Sequence, residues 1–315
     1  MIKHFAAAVL LLAATHALAN HGPSSSGGGA ITLSGETLRQ GKFEVTIRED
    51  FTQFERFTRS EVASIAASGE EIHALRRSFV TSAAVAYGIT DDFQVGIASG
   101  YDNGWNFLDG HAHGEHVSIG STNPDGFLDT TLTLKYRILQ GAPGNLSLLT
   151  GIKMPTGRDD IRLSNNHPLH ASDQPGTGSW DVPFGIAYSR FLTDRITIDA
   201  SAAYMLRTEH DDFQVGDRLD LSAALAYRLT DSIRTFPQFS VFGELLFVHI
   251  QKDREAGETD PNSGSATLYL SPGLRVRFTE NVAFTIAPAM PLYQHVNGLQ
   301  GEVEFKMTAA LSVGF

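Results

Sequence analysis

Twelve stretches of this chain set apolar residues on one parity against small or polar residues on the other, and none contains an apolar run of helix-spanning length. The last is the plainest. Val303, Phe305, Met307, Ala309, Leu311, Val313 and Phe315 alternate with Glu304, Lys306, Thr308, Ala310, Ser312 and Gly314. Successive strand side chains point to opposite faces, so this is a strand with one oily and one wet face. A strand of this kind ending on Phe315 resembles the closing strand of bacterial outer-membrane barrels, whose final Phe is read by the barrel-insertion machinery. Half of this protein is then expected to be solvated by lipid.

The beginning of the chain agrees. Lys3 precedes an apolar run from Phe5 to Ala14 and the small-x-small site Ala17-Leu18-Ala19, the pattern of a secretory signal peptide over residues 1–19. Removing Lys3 takes the formal net charge from −11 to −12, which argues against nucleic acid as a partner. Without cysteine there is neither a disulfide framework nor thiol chemistry. Residues 20–40, which include the Gly/Ser-rich run His21–Ala30, read as a flexible N-terminal segment, a leader to the barrel or a partial plug. The barrel itself is assigned to residues 41–315.

Parity places the strands around 43–51, 79–89, 93–101, 128–138, 146–154, 180–188, 196–206, 219–229, 239–247, 268–278, 282–292 and 303–315. The ninth is ambiguous, because Phe239, Val241, Leu245 and Phe247 compete with Phe242, Leu246 and Val248. Connections alternate strictly in length. Turns such as Thr90–Asp92, Thr193–Asp194 and Thr279–Asn281 are short, while 59–76, 102–125, 155–179, 207–217, 251–264 and 294–301 are long. The expected fold is an all-β, transmembrane antiparallel barrel of about 12 strands, with short periplasmic turns and long extracellular loops. Tyr87 and Tyr227, each just before a Thr-Asp turn, suit the aromatic girdle at the periplasmic interface. In lipid every backbone amide and carbonyl must pair internally, which only a closed sheet allows.

Two residue sets could carry function. Within the loop 102–125, the motif HAHGEH supplies His111, His113, Glu115 and His116, and the next long loop adds His167 and His170. Imidazoles and a carboxylate in this number suit Zn, Cu or Ni at the extracellular loops. No cofactor is required for the fold. The second set is lumen-facing charge: Glu44, Arg48, Lys135, Arg137, Lys153, Asp220, Arg228, Glu244, Arg275, Arg277, Glu302, Glu304 and Lys306. Opposed rows of such charges would form a salt-bridge ladder or a selective eyelet. Catalysis is not expected, since no nucleophile elbow or zinc-protease spacing occurs. An outer-membrane lipid hydrolase would need a Ser beside a His such as His249.

The run Tyr87-Gly-Ile-Thr-Asp-Asp-Phe-Gln-Val-Gly-Ile97, the segment Gly151-Ile-Lys-Met-Pro-Thr-Gly157 and the hairpin Trp180–Tyr204 resemble outer-membrane transporters grouped under the meta-pathway of phenol degradation. The resemblance implies a channel or uptake porin of the bacterial outer membrane, linked in some members to aromatic catabolism. The histidine-rich loop departs from that pattern. The expected partners are the lipid bilayer with its lipopolysaccharide, the insertion machinery and a small solute, aromatic or metal-related. The alternative is a metal-binding surface protein anchored by its barrel.

Overall fold

A computed structural model describes residues 28–113 and 116–315. The signal segment, the start of the Gly/Ser-rich run and Glu115 lie outside the described residues. Twelve antiparallel strands form one closed sheet. They are β1 (Phe43–Phe54), β2 (Ile72–Gly88), β3 (Phe93–His113), β4 (Thr130–Leu139), β5 (Asn145–Met154) and β6 (Val182–Phe191). The second half comprises β7 (Ile196–Leu206), β8 (Arg218–Arg228), β9 (Gln238–Ile250), β10 (Ser265–Arg277), β11 (Val282–Val296) and β12 (Val303–Gly314). Each strand pairs with its chain neighbours, and β12 returns to β1 with Glu44 opposite Gly314, Thr46 opposite Ser312 and Thr52 opposite Lys306.

The outer face is the apolar parity read from the sequence. Leu132, Leu134, Phe184, Ile186, Leu225 and Leu245 are exposed there, whereas Thr131, Thr133 and Lys135 on the other parity of β4 are buried inside. A continuous band of exposed aliphatic and aromatic side chains matches hydrocarbon rather than water. At the short-turn rim the girdle includes Tyr87, Tyr136 and Tyr227. Phe315 stacks on Phe43 there, ring centroids 4.5 Å apart, across the seam that closes the barrel.

The long connections are more ordered than loops. β3 runs for 21 residues, roughly twice the 9–11 that a tilted strand needs to cross a bilayer. Beyond the membrane it folds back into a short strand, His116–Thr122, so the histidine-rich loop is the tip of a β-hairpin. Period two breaks just before this extension. Asn106 takes φ 57°, and side-chain parity inverts, with Trp105 exposed and Phe107 wholly buried. The predicted loop 59–76 also holds the nine-residue helix α1 (Arg59–Ala67), capped by reciprocal bonds between Thr58 and Glu61.

Above the membrane the outer face of the β2–β3 extension would meet water. Helix α1 covers it, packing Val62 against Ile72 and Ala74. The approach is close enough that a Cβ on Gly110 would lie 2.5 Å from a Val62 methyl.

Leu134→Arg, near the bilayer midplane, should cost roughly 2–4 kcal/mol of stability, and Ile138→Arg, near the rim, about 0–1 kcal/mol. Denaturant titration of the protein refolded into lipid vesicles measures both, and equal costs would contradict the proposed placement of the bilayer.

Candidate functional site

The lumen is the site, and a segment expected to be flexible occupies it. Residues 28–40 enter from the short-turn rim, where Gly28 lies with Asp194 and Arg228, rise to mid-barrel at Ile31–Leu33, and return to Gln40. Glu244 of β9 holds the apex. Its Oε2 accepts from the Ala30 amide at 3.2 Å, and its Oε1 accepts from the amides of Ile31 (3.0 Å) and Thr32 (2.5 Å) and from the Thr32 hydroxyl (2.6 Å). Further down this strap, Ser201 Oγ accepts from Leu33 N, Ser189 Oγ from Gly35 N, and Gln94 Oε1 from Leu38 N. Gly35 passes so close to β5 that a Cβ would sit 2.2 Å from the Asn145 carbonyl.

Apolar contacts complete the fit. Leu33 packs on Leu149, Ala187 and Ala203, and Ile31 on a cluster of Leu246, Val248, Tyr269 and Ala289. This explains the ambiguity of β9. Phe239, Val241 and Leu245 face lipid, while Phe242, Leu246 and Val248 face the strap, so both parities are apolar.

The strap separates two spaces. Below it, a vestibule of about 560 Å³ opens at the short-turn rim between Glu36, Lys42, Glu44, Lys135 and Arg137. Above it, a cavity of about 40 Å³ is lined by Ile31, Leu33, Val248 and Tyr269 together with Arg218, Asp220 and Lys306.

From the other end, the loop 155–181 folds inward. Ile161, Leu163 and Leu169 pack on the inward side chains Phe54, Leu75 and Phe107. Both limbs of the loop are pinned at one point. Asp129 accepts from the amides of Gly157 (2.9 Å) and Thr177 (3.0 Å), and Lys153, wholly buried, bonds Asp129, Thr177 and Asp181, the last at 2.9 Å. Nearby, beyond the strand ends, burial raises the Asp253 carboxyl to about 7 despite the Gly216 amide, and lowers Arg207 to about 10. Both shifts follow from excluded water.

Most of the charges assigned to the lumen face inward, and apart from the Lys153 and Arg137 pairs the ion pairs they form are local. Arg48 pairs with Asp50 at 2.6 Å and Arg218 with Asp220 at 2.7 Å, each two residues along its own strand. Glu244 binds amides, as above, and Arg275 and Lys306 are buried. At the short-turn rim, Arg137 bonds Asp92, Arg228 the Asp194 carbonyl, and Arg277 the Gln238 amide oxygen. Glu302 and Glu304 depart from expectation, both being exposed. The β1–β12 register shifts between Gln53 and Phe54, so that Val303 turns inward opposite Phe54 and the period-two reading fails beyond Lys306.

The histidines divide. His111 and His167 approach with ring centroids 5.4 Å apart, and His170 lies 5.0 Å from His73, a residue the sequence reading left outside its metal set. The backbones of His113 and His116 stand opposite each other in register at the hairpin tip. His249 is exposed on the outer face, and its cross-strand partners are Leu219 and Ala266, with no serine beside it in register.

A closed sheet with a lipid-matching exterior and a filled polar interior defines an outer-membrane β-barrel protein. The chain belongs to the family described as "Putative MetA-pathway of phenol degradation", whose pattern matches residues 21–287, strap included. Among solved structures it is similar to an outer membrane channel from Pseudomonas putida F1, at 14% identity and TM-score 0.62, covering 89% of this chain and 97% of that one. It is also similar to the Pseudomonas putida toluene transporter TodX, at 10% identity and TM-score 0.48, over 92% and 98%. At such identities the first likeness speaks to the fold alone. No curated protein matches in sequence.

Glu244→Ala removes the shared acceptor of three amides and a hydroxyl, each such charge-assisted bond contributing about 1.5–3 kcal/mol. The amides of Ile31 and Thr32 should then exchange with deuterium at least ~10-fold faster, while those of β4 and β5 do not change. Unchanged exchange at the apex would show that the strap is held by its apolar contacts instead.

Proposed function

We propose that this protein is an outer-membrane channel for a small amphipathic solute, gated from the periplasmic side by the strap. The observation that carries this reading is the way the strap is held. It crosses the lumen between two spaces and contributes no strand to the sheet, so it can leave without opening the barrel. Its polar anchors are side chains, namely Glu244, Ser201, Ser189 and Gln94, whose bonds water can replace. A segment serving only to fill the core would have no need of an open, polar-lined vestibule of about 560 Å³ beneath it.

Solute class follows from the walls above the strap. The lining there mixes aliphatic side chains with Tyr269, Lys306 and the Arg218–Asp220 pair, and Lys306 Nζ lies 5.4 Å over the Tyr269 ring. A compact apolar body with one polar or anionic substituent suits such a mixed lining better than a fully hydrated ion or a pure hydrocarbon. Small substituted aromatics have this form, and the family description points the same way.

Planar-bilayer conductance and liposome swelling with a small aromatic acid test the proposal. Deleting residues 28–38 should raise both well above wild type, and Glu244→Ala should give an intermediate value. If the deletion variant, folded, is no more permeable than lipid alone, the strap is not the gate.

A further inference from the structure

The extracellular end of the lumen contains a cluster that the channel reading does not use. On the inward side of the β2–β3 extension, His73 stands directly opposite Asp109 in register. One step further out are Glu71, just before β2, and His111 in β3. The inward loop 155–181 adds His170 and, from the turn Ala171–Asp173, Asp173. Ligand atoms of Glu71, His73 and His170 all lie within 4.8 Å of one another, and so do those of Glu71, Asp109 and His111.

His73 organises the cluster. It is wholly buried, and its Nδ1 lies 2.8 Å from Asp173 Oδ2. Its Nε2 makes no hydrogen bond and faces Glu71 Oε1 at 3.6 Å and Asp109 Oδ2 at 3.8 Å. With the proton on Nδ1, as the Asp173 bond requires, the Nε2 lone pair confronts two carboxylate oxygens, which is repulsive in a dry pocket. With a second proton the ring is attracted to the three carboxylates, but Nε2–H is too far from either oxygen for a good hydrogen bond. A metal ion at Nε2 supplies the bond that Nε2 lacks. Two ligands at 2.0–2.1 Å from a tetrahedral ion lie about 3.4 Å apart, close to the distances seen. A carboxylate fixing one imidazole nitrogen so that the other points at a metal is the usual supporting arrangement for such ligands.

We propose that Glu71, His73 and His170 bind a divalent transition-metal ion of the zinc class, with Asp109 beside them and Asp173 positioning the His73 ring. Imidazole and carboxylate donors in this ratio suit zinc over the harder calcium and magnesium, which take oxygen alone. The site joins the β2–β3 wall to the inward loop. Occupancy therefore fastens that loop over the extracellular mouth. This inference does not rest on the strap or on its role as a gate.

Calorimetric titration of Zn²⁺ into the full-length protein refolded in detergent tests it, with heat-modifiable gel migration confirming that each variant is folded. One equivalent should bind to wild type. Glu71→Gln together with His170→Gln should weaken binding at least ~100-fold, and Asp173→Asn, which keeps the ligands, ~10–100-fold. His116→Ala, at the hairpin tip, should change nothing. Co²⁺ gives a second readout, a visible absorption band in wild type that is lost in the double variant. Glu71→Gln alone, at a half-buried position, carries the test if the double variant does not fold. Absence of binding to wild type, wild-type affinity in the Glu71 variants, or loss of binding in His116→Ala would each overturn the assignment.

Discussion

Closure of the sheet between β12 and β1 is the constraint from which the rest follows. In a bilayer an unpaired backbone amide or carbonyl costs several kcal/mol, so a twelve-stranded sheet is stable there only when its two edges satisfy each other. Pairing from Glu44–Gly314 to Phe54–Val303 does this along the full length of β1. Once the edges meet, the circumference is fixed. A barrel of this size is wider than its own inward side chains can fill, and the strap and the loop 155–181 occupy what remains.

The two fillings differ in chemistry. The loop is fastened by a buried lysine among carboxylates and by an apolar cluster containing Phe54 and Phe107, and this favours a fixed cover. The strap is fastened by hydroxyls, an amide side chain and one carboxylate that accepts from main-chain amides. Losing one of the strap's bonds leaves groups that the vestibule water can solvate. Losing Asp129 or Asp181 would leave a buried ammonium with less compensation, which is far more costly. Asymmetry of this kind is what the proposed gating from the periplasmic side rests on.

Strand count, strand position and the alternation of turn and loop were legible in the sequence because the bilayer imposes period two on every crossing. Where the chain leaves that solvent, the signal ends. Asn106 inverts the parity at the start of the β3 extension, so Phe107, Asp109 and His111 could not be assigned to the inner wall, and His73 and Glu71 stayed outside the metal set with them. The register shift near Phe54 likewise turned Val303 inward and left Glu304 unpaired in register and exposed. β9 was the informative failure. Its second apolar parity, Phe242, Leu246 and Val248, was the imprint of a strap packed inside, and an apolar inner face in one strand of a polar-lined barrel is a sign of such a segment.

The strap's binding site is distributed over Gln94 in β3, Ser147 in β5, Ser189 in β6, Ser201 in β7 and Glu244 in β9. No single hairpin presents more than a fraction of it. The strap, which precedes every strand in the chain, therefore lacks its full set of anchors until the seven strands from β3 to β9 stand side by side. It also adjoins β1, the strand that must find β12. The assembled wall is the template on which the strap takes its shape.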